Sequence, residues 1–413
     1  MKKFAKMSLV AAVAVAGLST TSSAKALEEA IKNVDVSGTV VYRYDDRAYD
    51  VQASDKDTNN YKIGLTLKSK VNDDVTAVTR FLVAGADGGF ASLNHTTGTD
   101  NDGNKHGDTN VDVTLSNVYF SYTGIANTTV NVGKQGLTTP WTVAIDADGN
   151  EQTGTGILAL TNVGPVTLAG AYFNQTNLNA SGAVTLDGVA VGDGAKTTTY
   201  LGGDKNVVTV GAMANIGPVA LDAWYLDMQD SFDTFTVGAT AKFDLDAVKL
   251  SVGARHTALD ADKELVNSAF AKEDNSLTKV NVGLKAGIFG GSVEYGWTDS
   301  EGGLVALDDD ANTGMLGWTL NLNGVADAKF LKINANAQVL PSLNLALNYN
   351  ILDKDKTTTR AEDLTDKEYY LQASYQMSKN FGGYIRLGKA ELERVNDSDN
   401  DGTIGRLQVQ YSF

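Results

Sequence analysis

Alternating apolar and polar residues recur in about eighteen segments between residues 34 and 413, and the connections between them are short and long by turns. Period-two alternation places successive side chains on opposite faces of a strand, so each segment presents one apolar and one wet face. The short connections are VNDD (71–74), GIAN (124–127), NVGP (162–165), NIGP (215–218), FGG (289–291), PS (341–342) and SKN (378–380). The long polar ones run over 45–60, 86–110, 136–153, 175–205, 257–275, 299–326, 353–366 and 392–402, with one brief exception near Gln229–Phe232. All tight turns thus fall at one end of the strands and nearly all long loops at the other. A soluble sandwich has no reason to obey that rule; a transmembrane β-barrel does. The expected fold is all-β: one transmembrane antiparallel β-barrel of about eighteen strands. The segment MLGWTLNLN, Met315–Asn323, also alternates. Counting it would make nineteen strands and leave the chain ends on opposite sides, so it is assigned to the long loop after Trp297.

Composition agrees with strands as the spanning elements. No apolar run is long enough to cross a bilayer as a helix, whereas a spanning strand needs only about 9–11 residues. The first 26 residues carry a basic start (Lys2, Lys3, Lys6), an apolar stretch from Met7 to Leu18 and the small-x-small site Ala24-Lys25-Ala26. This is the pattern of an export signal cleaved after Ala26, leaving residues 27–413 as one barrel domain. Cleavage leaves 30 basic against 50 acidic residues, a net charge of −20. Such an acid excess excludes nucleic acid as a partner and suits a surface or channel that gathers cations. The absence of cysteine excludes disulfides, thiol nucleophiles and thiolate metal sites.

The last segment, TIGRLQVQYSF, is the expected closing strand. Leu407, Val409, Tyr411 and Phe413 share the lipid face; Arg406, Gln408, Gln410 and Ser412 share the other. The same alternation puts Arg43, Lys62 and Arg80 on the inward faces of the first three strands, and Arg386 and Arg406 on those of the last two. Closure would make these five strands neighbours, so a basic wall is expected in the lumen. Tyr42, Tyr44, Tyr61, Tyr369, Tyr375, Tyr411 and Phe413 are expected in interfacial girdles, and Leu343, Leu345, Leu347, Phe381, Ile385 and Leu387 in the lipid belt. The three histidines, His95, His106 and His256, are expected in or beside loops, and no GxSxG, HExxH, phosphate-loop or zinc pattern occurs, so no enzymatic activity is expected.

Three stretches carry a family resemblance: LEEAIKNVDVSGTVVYRYDD after the signal, VNVGKQGLTTPWT in the middle, and the terminal QYSF. They resemble the major outer membrane protein porins of the Campylobacter type. The resemblance implies a homotrimeric, water-filled barrel among outer-membrane lipids, which passes small hydrophilic solutes and cations by diffusion and holds calcium. It also implies that the third long loop, GLTTPWTVAIDADGNEQTG, folds into the barrel and sets Asp146, Asp148 and Glu151 against the basic wall. The expected constriction set is Arg43, Lys62, Arg80, Arg386, Arg406, Asp146, Asp148 and Glu151, with Ca2+ assigned to Asp146, Asp148 and Glu151. DSDNDG (Asp397, Asp399, Asp401, Gly402) matches only the first half of an EF-hand loop: its twelfth position is Gln408, not the required carboxylate. The acidic stretch around Asp100 and Asp102 is no stronger. Alternative readings are a substrate-specific channel and a surface adhesin anchored by the barrel.

Overall fold

A computed structural model describes residues 34–50, 56–85, 89–92, 113–147, 149–178, 184–186, 189–191, 203–263, 272–358, 360–395 and 399–413. The expected export signal, His95, His106, Asp100, Asp102, Asp148 and Asp397 lie outside the described residues. Eighteen long strands form the wall: β1 (Val34–Tyr49), β2 (Lys56–Lys70), β3 (Val75–Val83), β4 (Val113–Ile125), β5 (Thr128–Gly136), β6 (Thr153–Val163), β7 (Val166–Thr176), β8 (Val207–Ile216) and β9 (Val219–Met228) in the first half. The second half holds β10 (Phe232–Leu245), β11 (Val248–Ala261), β12 (Asp274–Ala286), β13 (Phe289–Thr298), β14 (Ala328–Leu340), β15 (Leu343–Lys354), β16 (Leu364–Ser378), β17 (Phe381–Glu391) and β18 (Gly402–Ser412). Each pairs antiparallel with its sequence neighbours, and a two-residue strand, Ala91–Ser92, adds to the edge of β2.

The barrel closes between β1 and β18, in register from Thr39↔Ser412 to Tyr49↔Gly402. Beyond that ladder the Gly38 N–H donates to the Phe413 carbonyl at 2.9 Å and the Phe413 N–H returns to the Gly38 carbonyl at 3.0 Å. Gly38 is required here, because a Cβ would run into the Gly64 carbonyl and the Phe413 ring. At the tight end, Gly164 and Gly217 take φ of 59° and 58°, each followed by a proline. Positive φ at the first central residue gives a hairpin whose twist matches the strands.

Faces follow the alternation. Leu345, Leu347, Ile385 and Leu387 are exposed on the outside, as are Tyr369, Tyr375, Tyr411 and Phe413. Three expectations need correction. FGG (289–291) lies within β13, and the tight turn before it is formed by Gly287 and Ile288, with φ of 58° at Gly287. The span 45–60 is not all loop: β1 continues to Tyr49 and β2 starts at Lys56, because Asp45 points inward and pairs with Arg406. His256 lies within β11, not beside a loop, on the outward face. Its Nδ1 is 2.7 Å from the Thr278 Oγ1 and its ring is tilted against Phe235.

The buried core sits inside the lumen. Two long loops, 137–152 and 299–327, turn inward, and Met315–Asn323 belongs to the second of them, with only an isolated bridge between Leu316 and Asn321. Inward apolar side chains of β7–β11, such as Phe173, Leu226, Met228, Phe232 and Leu259, are covered by Leu137, Trp141, Leu304 and Leu307 of the loops. A second cluster packs Val305, Met315, Leu320 and Leu322 on Leu277, Phe330 and Leu352. A third sets Trp318 against Tyr370, Ala390 and Ile404. Replacement of Gly38 by valine is expected to obstruct closure, seen as loss of the compact, detergent-resistant form on gels run without heating.

Candidate pore constriction

The first infolded loop is held by charge as well as packing. Trp141 is fully buried, and Thr142 closes a local turn by donating its Oγ1 hydrogen to the Leu137 carbonyl at 2.6 Å. From the wall, the Lys62 ammonium donates to the carbonyls of Asp146 and Gly149 at 2.8 and 2.7 Å. Arg80 on β3 binds both carboxylate oxygens of Glu151, with Nε at 3.0 and 2.8 Å and Nη2 at 2.5 Å. Ser116 donates a further hydrogen bond to Glu151 at 2.8 Å. Lys62 stands 3.9 Å from the same carboxylate. All three charged side chains are almost completely buried, so the pairing is required: a lone charge there would bear the full desolvation penalty.

The second loop is held from the opposite wall by the same means. Lys279 on β12 donates to the Gly314 carbonyl at 2.7 Å, and Lys332 on β14 to the Leu316 carbonyl at 2.6 Å. Glu294 on β13 lies between the two lysines, 3.6 Å from one and 3.2 Å from the other. Glu368 on β16, with no exposed surface, accepts the backbone N–H groups of Trp318 and Thr319, the Thr319 hydroxyl and the Asn350 amide, each at 2.6 Å. Gly317 makes that grip possible, since a side chain there would strike the Glu368 carboxylate. The loops also bind each other. The Leu307 N–H donates to the Trp141 carbonyl at 2.9 Å, the Thr313 N–H to the Pro140 carbonyl at 3.1 Å, and the Gln152 amide to the Leu307 carbonyl at 2.6 Å.

Between the loops and the wall of β1, β17 and β18 lies a cavity of about 310 Å³. Arg43, Tyr384, Arg386 and Arg406 line it from the wall, Asp146, Gly149 and Asn150 from the first loop, and Asp308, Asp309, Asp310 and Trp318 from the second. Arg43 donates from Nε to the Gln408 Oε1 at 2.7 Å, and Arg406 is paired with Asp45 at 2.5 Å. Arg386 and Arg406 face each other across the β17–β18 ladder, where like charges repel. The Trp318 ring lies 5.6 and 5.8 Å from their guanidinium carbons, an arrangement in which ring density offsets part of the repulsion. On the other side, burial, reinforced by Asp146, Asp310 and Asp309, pushes the Asp308 carboxyl up to about 7. Burial likewise raises Asp309 to about 6.

The expected site residues are therefore divided. Arg43, Arg386, Arg406 and Asp146 meet at the cavity; Lys62, Arg80 and Glu151 form the buried anchor behind the first loop. Asp148 lies outside the described residues. Asp308, Asp309, Asp310, Trp318 and the anchors Glu368, Lys279 and Lys332 were not anticipated. Carboxylate oxygens of Asp146, Asp308 and Asp310 lie within 4.8 Å of one another, a hard-oxygen donor set that fits Ca2+. Glu151 is committed to Arg80, and Asp401 is paired with Lys389 at 2.8 Å.

The model of the family described as Campylobacter major outer membrane protein matches residues 1–330. The chain belongs to that family. A search of curated proteins returns no match. The barrel of this family member is similar to solved structures of low identity, a likeness of fold. OpdK of Pseudomonas aeruginosa, solved with vanillate, is 14% identical with a TM-score of 0.68, over 92% of this chain and 98% of that one. OccAB3 of Acinetobacter baumannii gives 15% and 0.69, over 92% and 99%. OccK3 (OpdO) of Pseudomonas aeruginosa gives 17% and 0.68, over 94% and 97%.

Removing one member of the buried anchor should release the first loop. Glu151→Ala leaves the buried Arg80 without its carboxylate, a change expected to cost about 3–5 kcal/mol. The expected readouts are a lower denaturant midpoint and a larger single-channel conductance.

Proposed function

We infer that this porin-like barrel of the outer membrane works as a channel, as its family and fold support. We propose that it conducts ions and small hydrophilic solutes by passive diffusion with a preference for cations, and that it performs no covalent chemistry. The observation that carries this reading is the cavity itself, lined by arginines on the barrel wall and by carboxylates on two infolded loops. Opposed charges across a narrow water-filled passage set up a transverse field that discriminates among ions. The overall acid excess raises the local cation concentration at the mouths.

The same reading includes export by the amino-terminal signal and a homotrimer in outer-membrane lipid, both supported by family membership. Cross-linking of the detergent-solubilised protein tests the trimer. For calcium, the donor set among the described residues is Asp146 with Asp308 and Asp310; of the expected Asp146, Asp148 and Glu151, Asp148 lies outside the described residues and Glu151 is paired with Arg80. A bound Ca2+ would neutralise these carboxylates and reduce their mutual repulsion. A dedicated-solute channel is the second reading, favoured by the aromatic rings packed around Arg386; saturating flux of one solute would select it over general diffusion.

Planar-bilayer recording is the test. Stable ion-conducting steps are expected, and their absence would remove the channel reading. Asp308→Asn with Asp309→Asn should lower the cation-to-anion permeability ratio by a factor of about two to five, as expected when charges of this kind are removed from a narrow passage. Conductance should also depend on pH with a definite sign. A carboxyl raised to about 7 is ionised above that pH and neutral below it, and Asp309 follows at about 6. Cation preference should therefore be highest near pH 8 and fall as pH drops to about 5.5, as read from reversal potentials in a salt gradient.

A further inference from the structure

Charges of both signs face the same cavity with no oppositely charged side chain paired to them among the described residues. Arg386 is the first. Its Nε donates to the neutral Gln372 Oε1 at 2.6 Å, and its guanidinium carbon lies 5.6, 5.4 and 4.7 Å from the rings of Trp318, Tyr370 and Tyr384. No carboxylate pairs with it among the described residues, so its two terminal amino groups stand ready with donors in the fork geometry that matches a carboxylate. Its neighbour Arg406, by contrast, is already paired with Asp45. Asp308 and Asp309 are the second element. One accepts a backbone N–H from Asp310 and the other the Asn321 amide, and neither meets a Lys or Arg among the described residues.

Burial, full at Asp308 and partial at Arg386 and Asp309, magnifies what these charges lack. A charge removed from water interacts more strongly with whatever enters beside it. Trp318, which lines the cavity and is 6% exposed, adds a buried indole N–H with no acceptor. A simple anion drawn to Arg386 would meet the carboxylates across the cavity, and a simple cation drawn to the carboxylates would meet Arg386. A solute bearing both charges at opposite ends satisfies both. The cavity volume, about 310 Å³, falls at the small end of ligand pockets, which span roughly 300–1,000 Å³.

We propose that this cavity is a binding site for small zwitterions of the amino-acid class, with the carboxylate held by Arg386 and the ammonium by Asp308 and Asp309. The inference rests on the channel reading and deepens it by naming the solute the constriction matches. The aromatic surround keeps the Arg386 guanidinium oriented, and the Glu368 grip on Trp318 and Thr319 keeps the facing loop in place.

Current-noise analysis on bilayers holding many copies of the full chain measures solute binding during conduction. Glycine, acetate and methylammonium are added in turn in calcium-free buffer, so that no Ca2+ competes for Asp308. Glycine is expected to half-saturate at a concentration about tenfold below either single-charge probe, a difference of about 1.4 kcal/mol. Arg386→Gln and, on the other side of the cavity, Asp308→Asn should each raise the glycine constant about tenfold; because they lie on separate elements, a folding defect in one does not decide the outcome. Equal constants for glycine and the two probes in stably conducting channels, or no change in glycine binding in both variants, would overturn the site alone. A wild-type protein that opens no conducting steps overturns the channel reading and this one with it.

Discussion

Inside hydrocarbon no water is present to satisfy a backbone N–H or C=O, so a spanning sheet must leave no edge unpaired. Here that constraint is met by the ladder between β1 and β18, extended at its foot by the reciprocal bonds between Gly38 and Phe413. Everything in the lumen depends on it. Closure sets β17, β18 and β1 side by side, and through them Arg386, Arg406 and Arg43. Asp45, which would be an isolated acid on an open strand, becomes the partner of Arg406 across the seam.

The lumen poses the opposite problem, that of filling a wide barrel without blocking it. Inward apolar residues on β7–β11 and β12–β15 invite cover, and the two long loops supply it. Packing alone would let each loop settle in several ways. Direction is added by ions that grip the loop backbone as well as its side chains: Lys62, Lys279 and Lys332 take carbonyls, and Glu368 takes N–H groups. Burying such charges brings no large net gain in stability, since desolvation offsets most of the attraction. Their effect is to make any other placement of the loops costly, which leaves a passage against the one wall that is arginine-rich.

The wall was readable from residue order, because period-two alternation and turn placement are local signals. Tyr411 and Phe413 fall outside, Arg386 and Arg406 inside, and Met315–Asn323 stays out of the barrel wall, as alternation and parity require. The constriction was harder to read. Glu151, Lys62 and Arg80 are the right residues for an ion cluster, yet whether they face water or each other is set by the path of the first loop, which no local pattern encodes. By its length the 299–327 loop reads as an outer connection, because long loops are ordinarily wet. Its own composition carried the contrary signal: Leu304, Val305, Leu307, Met315, Trp318, Leu320 and Leu322 are too apolar for a solvated connection, and LDDDAN sits among them. The span 45–60 failed for a related reason, since its charged residues are held by cross-strand partners invisible in the linear order.

The bonds between the two infolded loops bear on how this barrel can change over time. Pro140, Trp141 and Gln152 in one loop are matched to Leu307 and Thr313 in the other, through backbone groups for the most part. A deletion in either loop would shift the register of that seam and displace Asp308 from the arginine wall, although some 160 residues of chain separate the two partners. The pair is therefore inherited as one part: length variation should collect in the connections that stay outside the barrel, and the inward loops should change only together.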